Sequence, residues 1–242
     1  LGRSTNADVV MFDYARLYWE GERVRNKNAK LFADGSGPVT TAERPELLDN
    51  LNVAWNKLYR RSFLDRVGLR FPTGIYEDIP WTYPILLLAE RIALLDRVAL
   101  LYRQRREGSI LRSSSPAHLD VFDQYDRLFE WLGANPDHEW AHETLHEKMV
   151  AHLLTIFDFG ERRLPREHRQ AFHQNMSSIV TRHAGGEYEP SGRLGGARRR
   201  AILAERYGLE QAFEQVRTGR RAASRSVRRA REAAAERKGR LG

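Results

Sequence analysis

Residues 70–83 read RFPTGIYEDIPWTY, and this stretch sets the organisation of the chain around it. Proline, threonine and glycine at 72–74 predict a turn ahead of two adjacent carboxylates, Glu77 and Asp78. Pro80 follows at a position where it can open a helix without losing a needed backbone donor. The segment therefore predicts a turn followed by a helix with an acidic start.

Aromatic residues surround this acidic pair, namely Phe71, Tyr76, Trp81 and Tyr83. Carboxylates at a helix start feel the positive end of the helix dipole, so we expect both to be ionised at neutral pH. An ionised carboxylate beside aromatic walls is suited to act as the general base for a substrate hydroxyl. The structural alternative is an acidic N-cap and first turn with an aromatic staple.

The composition is that of a relatively polar globular protein. The 242 residues are 41% apolar and 30% charged, which suffices for one compact domain and a smaller extension. The absence of cysteine excludes a disulfide framework and a thiolate metal site. The formal net charge is +8, but arginine accumulates from Arg193 onward, so the body of the chain is closer to neutral. Because the chain starts at Leu1 and soon enters a strand-like run, we expect it to be a piece of a longer protein.

Periodicity predicts an α/β arrangement in the first part of the chain. Residues 7–14 are short, apolar and β-branched at the centre, which predicts a buried strand, and residues 97–103 predict a second. Between them, residues 54–64 and 81–91 carry apolar side chains at helical spacing. Two or three strands are too few for a complete doubly wound sheet, so the pattern predicts a truncated sheet over 1–115.

After this sheet the strand signal disappears. Amphipathic helices are expected over 121–132, 139–159 and 165–182, which together predict a helical subdomain at 116–184. A break rich in glycine, proline and serine follows. The Ala/Arg/Glu composition then predicts that 185–242 form a linker and a basic helical tail.

The run between Trp55 and Ser109, including AWNKLYRRSFL and GLRFPTGIYEDIPWTY, resembles the second half of family 2 glycosyltransferases with the GT-A fold. More narrowly, it is similar to actinobacterial two-domain proteins that join such a domain to a CDP-glycerol glycerophosphotransferase domain and make teichoic-acid polymers. The resemblance implies that 1–115 are the C-terminal, acceptor-side part of a Rossmann-like GT-A domain. No Asp-x-Asp metal motif of the family's donor-binding half occurs in this sequence.

The resemblance also implies roles for single residues. Asp78 matches the family's catalytic base, and Glu77 supports the base or the acceptor. The implied substrate-binding residues are Asn56, Lys57, Trp81, Arg103, Arg105, Arg106 and Ser109. The three arginines and the serine match a loop that contacts the donor diphosphate, for which guanidinium groups are suited. A solvated basic loop is the alternative for that segment.

The implied reaction moves a sugar from a nucleotide-sugar donor to a polyol or glycan hydroxyl by single displacement with inversion. Mg²⁺ or Mn²⁺ is expected for the complete enzyme, with ligands mostly outside this chain. A cytoplasmic place at the inner face of the cell membrane is expected. At this membrane face we expect the basic tail to contact anionic lipid or to link the chain to a following glycerophosphotransferase domain.

Two other classes of function stay open. One is a non-catalytic helical adaptor or a basic nucleic-acid-binding module, although the arginine-rich tail lacks the interleaved aromatics that stack on bases. The other is a zinc protease, because residues 142–146 read HETLH, an HExxH string, with Glu161 downstream. This segment is rich in His and Glu and lacks the longer zincin pattern, which favours a solvated helical face.

Overall fold

The computed structural model describes residues 1–33, 37–104 and 113–185 of the chain. The chain divides into two compact units, Leu1–Arg166 and Glu167–Gly242, and the second is described only over 167–185. The domain boundaries expected from the sequence stay predictions. The helices predicted for the basic tail lie outside the described residues.

The first unit is built on a four-stranded mixed sheet. Its central strand is β1 (Val9–Leu17), which pairs in parallel with β4 (Ile92–Arg103) along its whole length. Two short antiparallel strands, β2 (Arg23–Arg25) and β3 (Lys57–Tyr59), pair with the two ends of β1. The predicted α/β fold class with a partial, Rossmann-like sheet is confirmed.

Helices flank and follow this sheet. α1 (Arg61–Val67) and α2 (Asp78–Leu88) lie between β3 and β4, and α3 (Asp120–Gly133) and α4 (His142–Asp158) come after β4. Short 3₁₀ helices span Ala29–Phe32, Pro45–Asp49, Ala54–Asn56, Pro116–Leu119, Pro136–Ala141, Gly160–Arg162 and Arg166–His168. The second unit contains α5 (Arg169–Arg182).

One predicted helix is wrong. Residues 54–64 form a 3₁₀ helix, strand β3 and the start of α1 instead of one continuous helix. The apolar spacing is compatible with a helix, but the backbone at Lys57–Tyr59 pairs with residues 9–11 of β1. Long-range strand pairing therefore overrides local periodicity, and it leaves Leu58 62% exposed where a helix would have turned it inward.

α2 is the most deeply buried helix of the site region. Its buried residues are Ile79, Trp81, Thr82, Tyr83, Pro84, Ile85, Leu86 and Leu87. Burial on all sides fixes the helix in place, so the acidic pair at its N-terminal end has a defined position. In the part of the chain that the structure describes, no helix combines the length and the apolar character needed to cross a bilayer.

Candidate active site

A cavity of about 380 Å³ lies at the N-terminal end of α2. Its walls come from the chain at 51–53, the loop before α2, and helices α3 and α4. The lining residues are Leu51, Asn52, Val53, Ile75, Tyr76, Glu77, Asp78, Ile79, Tyr83, Tyr125, Lys148 and His152. Both predicted acidic residues thus line one concave surface of apolar and aromatic groups, a typical setting for a small-molecule site.

Asp78 is the first residue of α2, and its carboxylate is held at one oxygen only. Oδ1 accepts a hydrogen bond from the backbone N–H of Ala54 (3.0 Å). Oδ2 forms no hydrogen bond with any residue that the structure describes. The backbone carbonyl of Asp78 accepts a hydrogen bond from the Asn52 side chain (3.3 Å), which ties the helix start to the same segment. One carboxylate oxygen is therefore available for a proton.

The environment of Asp78 makes its carboxylate more basic than usual. Burial raises the pKa of Asp78, and the negative charge of Glu77 acts in the same direction, against the Ala54 hydrogen bond and the charge of Lys57. The dipole of a helix start favours the ionised form. Removal from water has the opposite effect and is the largest cause of the raised pKa, which is a common situation for a general base.

Asn56 and Lys57 are buried next to this site without lining the cavity. The Lys57 ammonium donates to Asn56 Oδ1 (2.6 Å) and to the carbonyl of Val53 (2.8 Å). Burial lowers the pKa of Lys57 to about 7, although the nearby Asp78 carboxylate opposes the shift. These contacts hold the 53–57 segment, whose Ala54 N–H binds Asp78, so the geometry gives both residues a positioning task.

The loop before α2 contains two residues with left-handed backbone, Gly74 (φ +98°) and Tyr76 (φ +66°). A Cβ on Gly74 would lie 2.7 Å from Asp120 Oδ2, so only glycine fits there. A tyrosine in this region is uncommon, and such a conformation costs on the order of 1–3 kcal/mol. The surrounding contacts must therefore hold Tyr76, which immediately precedes the acidic pair.

The first turns of α3 provide part of this restraint. Asp120 Oδ2 accepts a hydrogen bond from the backbone N–H of Ile75 (3.0 Å). Gln124 donates from its side-chain amide to the carbonyl of Thr73 (2.8 Å). The helices that follow the sheet thus fix the loop that presents Glu77 and Asp78.

Tyr125, Lys148 and His152 are site residues that the sequence analysis missed. Tyr125 belongs to α3, and the other two lie one turn apart on α4, so they share a face of that helix. Lys148 forms an ion pair with Asp49. His152 Nδ1 is 3.1 Å from the Tyr125 hydroxyl. The i,i+4 spacing of lysine and histidine was visible in the sequence, but nothing local indicated which wall it would reach.

The remaining predicted substrate-binding residues lie elsewhere. Trp81 is 5% exposed, its indole stacks on Phe71 (centroids 4.2 Å apart), and its N–H donates to the carbonyl of Leu69 (3.3 Å). Arg103 ends β4 with an exposed side chain and does not line the cavity. Arg105, Arg106 and Ser109 lie outside the described residues. The structure therefore brings the acidic pair close to Asn56 and Lys57. Trp81 and Arg103 do not line this cavity.

The HExxH string forms the first turns of α4. The imidazoles of His142 and His146 are nearly parallel (5°) with centroids 6.5 Å apart, and both rings contact Phe129. Within the described ranges, no three His, Asp or Glu side chains are grouped so that they could hold a metal ion. The two histidines thus have a packing role on α3, and the expected Mg²⁺ or Mn²⁺ finds no ligand set in this part of the protein.

Part of the chain is similar to a curated glycosyltransferase. No family model matches the sequence. The chain is 26% identical over 87 residues to the processive diacylglycerol beta-glycosyltransferase of Mycoplasma genitalium. The matched region covers 36% of this chain and only 26% of that relative's length. This similarity supports a glycosyltransferase-like relationship for the matched part of the chain.

Proposed function

We propose that this chain is the acceptor-side part of an inverting family 2 glycosyltransferase with the GT-A fold, in which Asp78 is the catalytic base. The observation that carries the proposal is the position of Asp78, with one oxygen held by Ala54 and the other without a partner among the described residues at the cavity. Its raised pKa favours proton abstraction from an acceptor hydroxyl.

The proposed reaction is a single displacement. Asp78 Oδ2 takes the proton of the acceptor hydroxyl while that oxygen attacks the anomeric carbon of the nucleotide sugar. The bond between this carbon and the donor diphosphate breaks on the opposite side, so the configuration inverts. The diphosphate leaves with two electrons and needs positive charge, for which the arginines at 103–106 are the candidates in this chain. The described residues do not fit a metal site, so we assign Mg²⁺ or Mn²⁺ to none of them.

The acceptor that we propose is a polyol or glycan of a teichoic-acid-like cell-wall polymer. The resemblance to the actinobacterial two-domain proteins supports it, as does the excess of arginine after residue 193, which suits the anionic inner face of the cell membrane. In the same proposal, a glycerophosphotransferase domain follows the chain. The name of the similar Mycoplasma protein supports diacylglycerol as a second candidate acceptor.

The test uses the complete natural protein with labelled nucleotide sugars. Asp78→Asn keeps the size of the side chain and removes the base, so we expect transfer to fall by about 10²–10⁴-fold with unchanged donor binding. Asp65→Asn, at an exposed carboxylate on α1, is the matched control and should keep full activity. Near-normal turnover by Asp78→Asn would refute the base assignment. A wild-type protein that neither binds nor turns over nucleotide sugars would favour the non-catalytic adaptor.

A further inference from the structure

We propose that the α3–α4 wall of the cavity, defined by Tyr125, Lys148 and His152, binds the acceptor, and that His152 donates a hydrogen bond from Nε2 to an uncharged hydroxyl of a sugar or polyol unit. This inference rests on the proposed function. It assigns a specificity-determining residue on α4, more than 70 residues from the acidic pair in sequence and on the same cavity in space.

Burial lowers the pKa of His152 to about 4, and electrostatic interactions with Arg163 and His118 act in the same direction. Burial also raises the pKa of Tyr125, so its hydroxyl keeps its proton, and it lies 3.1 Å from Nδ1 of the histidine. We take this hydroxyl as the donor and Nδ1 as the acceptor. In a neutral imidazole whose Nδ1 accepts, the proton lies on Nε2.

His152 lines the cavity, and its Nε2 is bonded to no described residue. This atom is also not among the buried side-chain nitrogens that are sealed off without a partner. The Nε2–H group therefore remains open to a molecule in the cavity.

Two tyrosines orient the imidazole ring of His152. Tyr76 meets the His152 imidazole edge to face, with centroids 5.1 Å apart and planes at 82°. The Tyr76 hydroxyl is itself 2.6 Å from His118 Nδ1. Tyr125 on one nitrogen and Tyr76 on the ring face thus hold a donor whose direction is set before any ligand binds.

The charge of the cavity selects the class of ligand. Glu77 and Asp78 repel an anion, and Lys148, the cation among the described lining residues, is paired with Asp49. The positive charge of Arg163 acts on His152 and Tyr76, but Arg163 does not line the cavity. Hydroxyl groups can donate to the carboxylates and accept from His152, while C–H groups pack on tyrosine and aliphatic side chains. A volume of about 380 Å³ suits one monosaccharide or glycerol unit. A phosphate of the acceptor is expected to lie outside this cavity.

The experiment measures the binding of two probes by saturation-transfer NMR and the KM of the natural acceptor in the complete protein. The probes are methyl β-D-glucopyranoside, which is neutral, and glycerol 3-phosphate, which is anionic. We expect the wild type to bind the neutral probe and His152→Leu to weaken that binding about tenfold, with unchanged nucleotide-sugar binding. His152→Gln, which keeps an N–H donor, should restore most of it, and His138→Leu is the control outside the cavity.

The outcomes separate this inference from the proposed function. Unchanged binding by both His152→Leu and Tyr125→Phe would overturn the role of His152, even if Asp78→Asn is inactive. Tighter binding of glycerol 3-phosphate than of the neutral probe would overturn the ligand class. Full activity of Asp78→Asn would refute the base and leave the neutral-probe measurement as a test of the cavity alone. If His152→Leu does not fold, the comparison of His152→Gln with Tyr125→Phe decides.

Discussion

The Tyr76 hydroxyl lies 2.6 Å from Nδ1 of His118, and this contact joins the strained loop of the acidic pair to the helices that follow the sheet. Nε2 of the same histidine is 3.1 Å from the carbonyl of Ser113, so both ring nitrogens are used. His118 is fully buried. Tyr76, which has a left-handed backbone and immediately precedes Glu77, is thus held through its hydroxyl group.

Tyr76→Phe tests this contact. The change leaves one nitrogen of the buried His118 without its partner and also removes the interaction of the Tyr76 hydroxyl with Arg163, so we expect the free energy of unfolding to fall by about 1–3 kcal/mol. Urea denaturation measures it. Tyr18→Phe is the matched control, because the Tyr18 hydroxyl forms no hydrogen bond with any residue that the structure describes, and it should stay within about 0.5 kcal/mol of the wild type. Equal losses in the two variants would contradict the role of the contact.

Gly74→Ala tests the close approach of the loop to α3. The new Cβ would lie 2.7 Å from Asp120 Oδ2 in a backbone with φ +98°, so the variant meets both a clash and backbone strain. Gly21→Ala has a similar φ of +83° with open space around the Cβ and therefore meets only the strain. Thermal melts of the two variants give the comparison. We expect Gly74→Ala to lose more stability than Gly21→Ala and to lose transfer activity as well. A Gly74→Ala protein as stable as Gly21→Ala would show that α3 does not constrain the loop.

Glu77→Gln tests the electrostatics of the base. The Glu77 charge raises the pKa of Asp78, so its removal should lower that pKa. Transfer requires ionised Asp78, and the acid limb of the pH profile of kcat/KM should therefore move to lower pH in Glu77→Gln. The measurement is a pair of pH–rate profiles of the complete protein. An acid limb that stays in place would mean that it reports another group.

Lys57→Met tests the buried ammonium through the pH dependence of stability. The folded-state pKa of Lys57 is lowered to about 7 from an ordinary value of 10.5, so between these values the unfolded state binds more protons. The free energy of unfolding must then rise with pH above about 7. We expect urea denaturation between pH 7 and 9 to show this rise in the wild type and a flatter dependence in Lys57→Met. Lys30→Met, at an exposed lysine, should keep the wild-type slope. An unchanged slope in Lys57→Met would show that the lysine is not held in a lowered-pKa state.

Local sequence signals were reliable where one short segment decides the structure. The β-branched run around residues 7–14 predicted the centre of β1, and the proline and acidic residues at 77–80 predicted the start of α2 within a few residues. Amphipathic spacing likewise indicated α3 and α4. These elements bury their own apolar faces, so the periodicity of the chain carries the information.

Sequence patterns alone sufficed to predict the α/β class, the buried central strand and the acidic pair at a helix start, because turn chemistry and apolar periodicity are local. The three-dimensional fold was needed to show that 57–59 form a strand, since the pairing partner lies some 48 residues earlier in β1. It alone placed His152 on the cavity of Asp78. It also set the direction of the Asp78 pKa, because removal from water depends on long-range packing and here outweighs the hydrogen bond from Ala54.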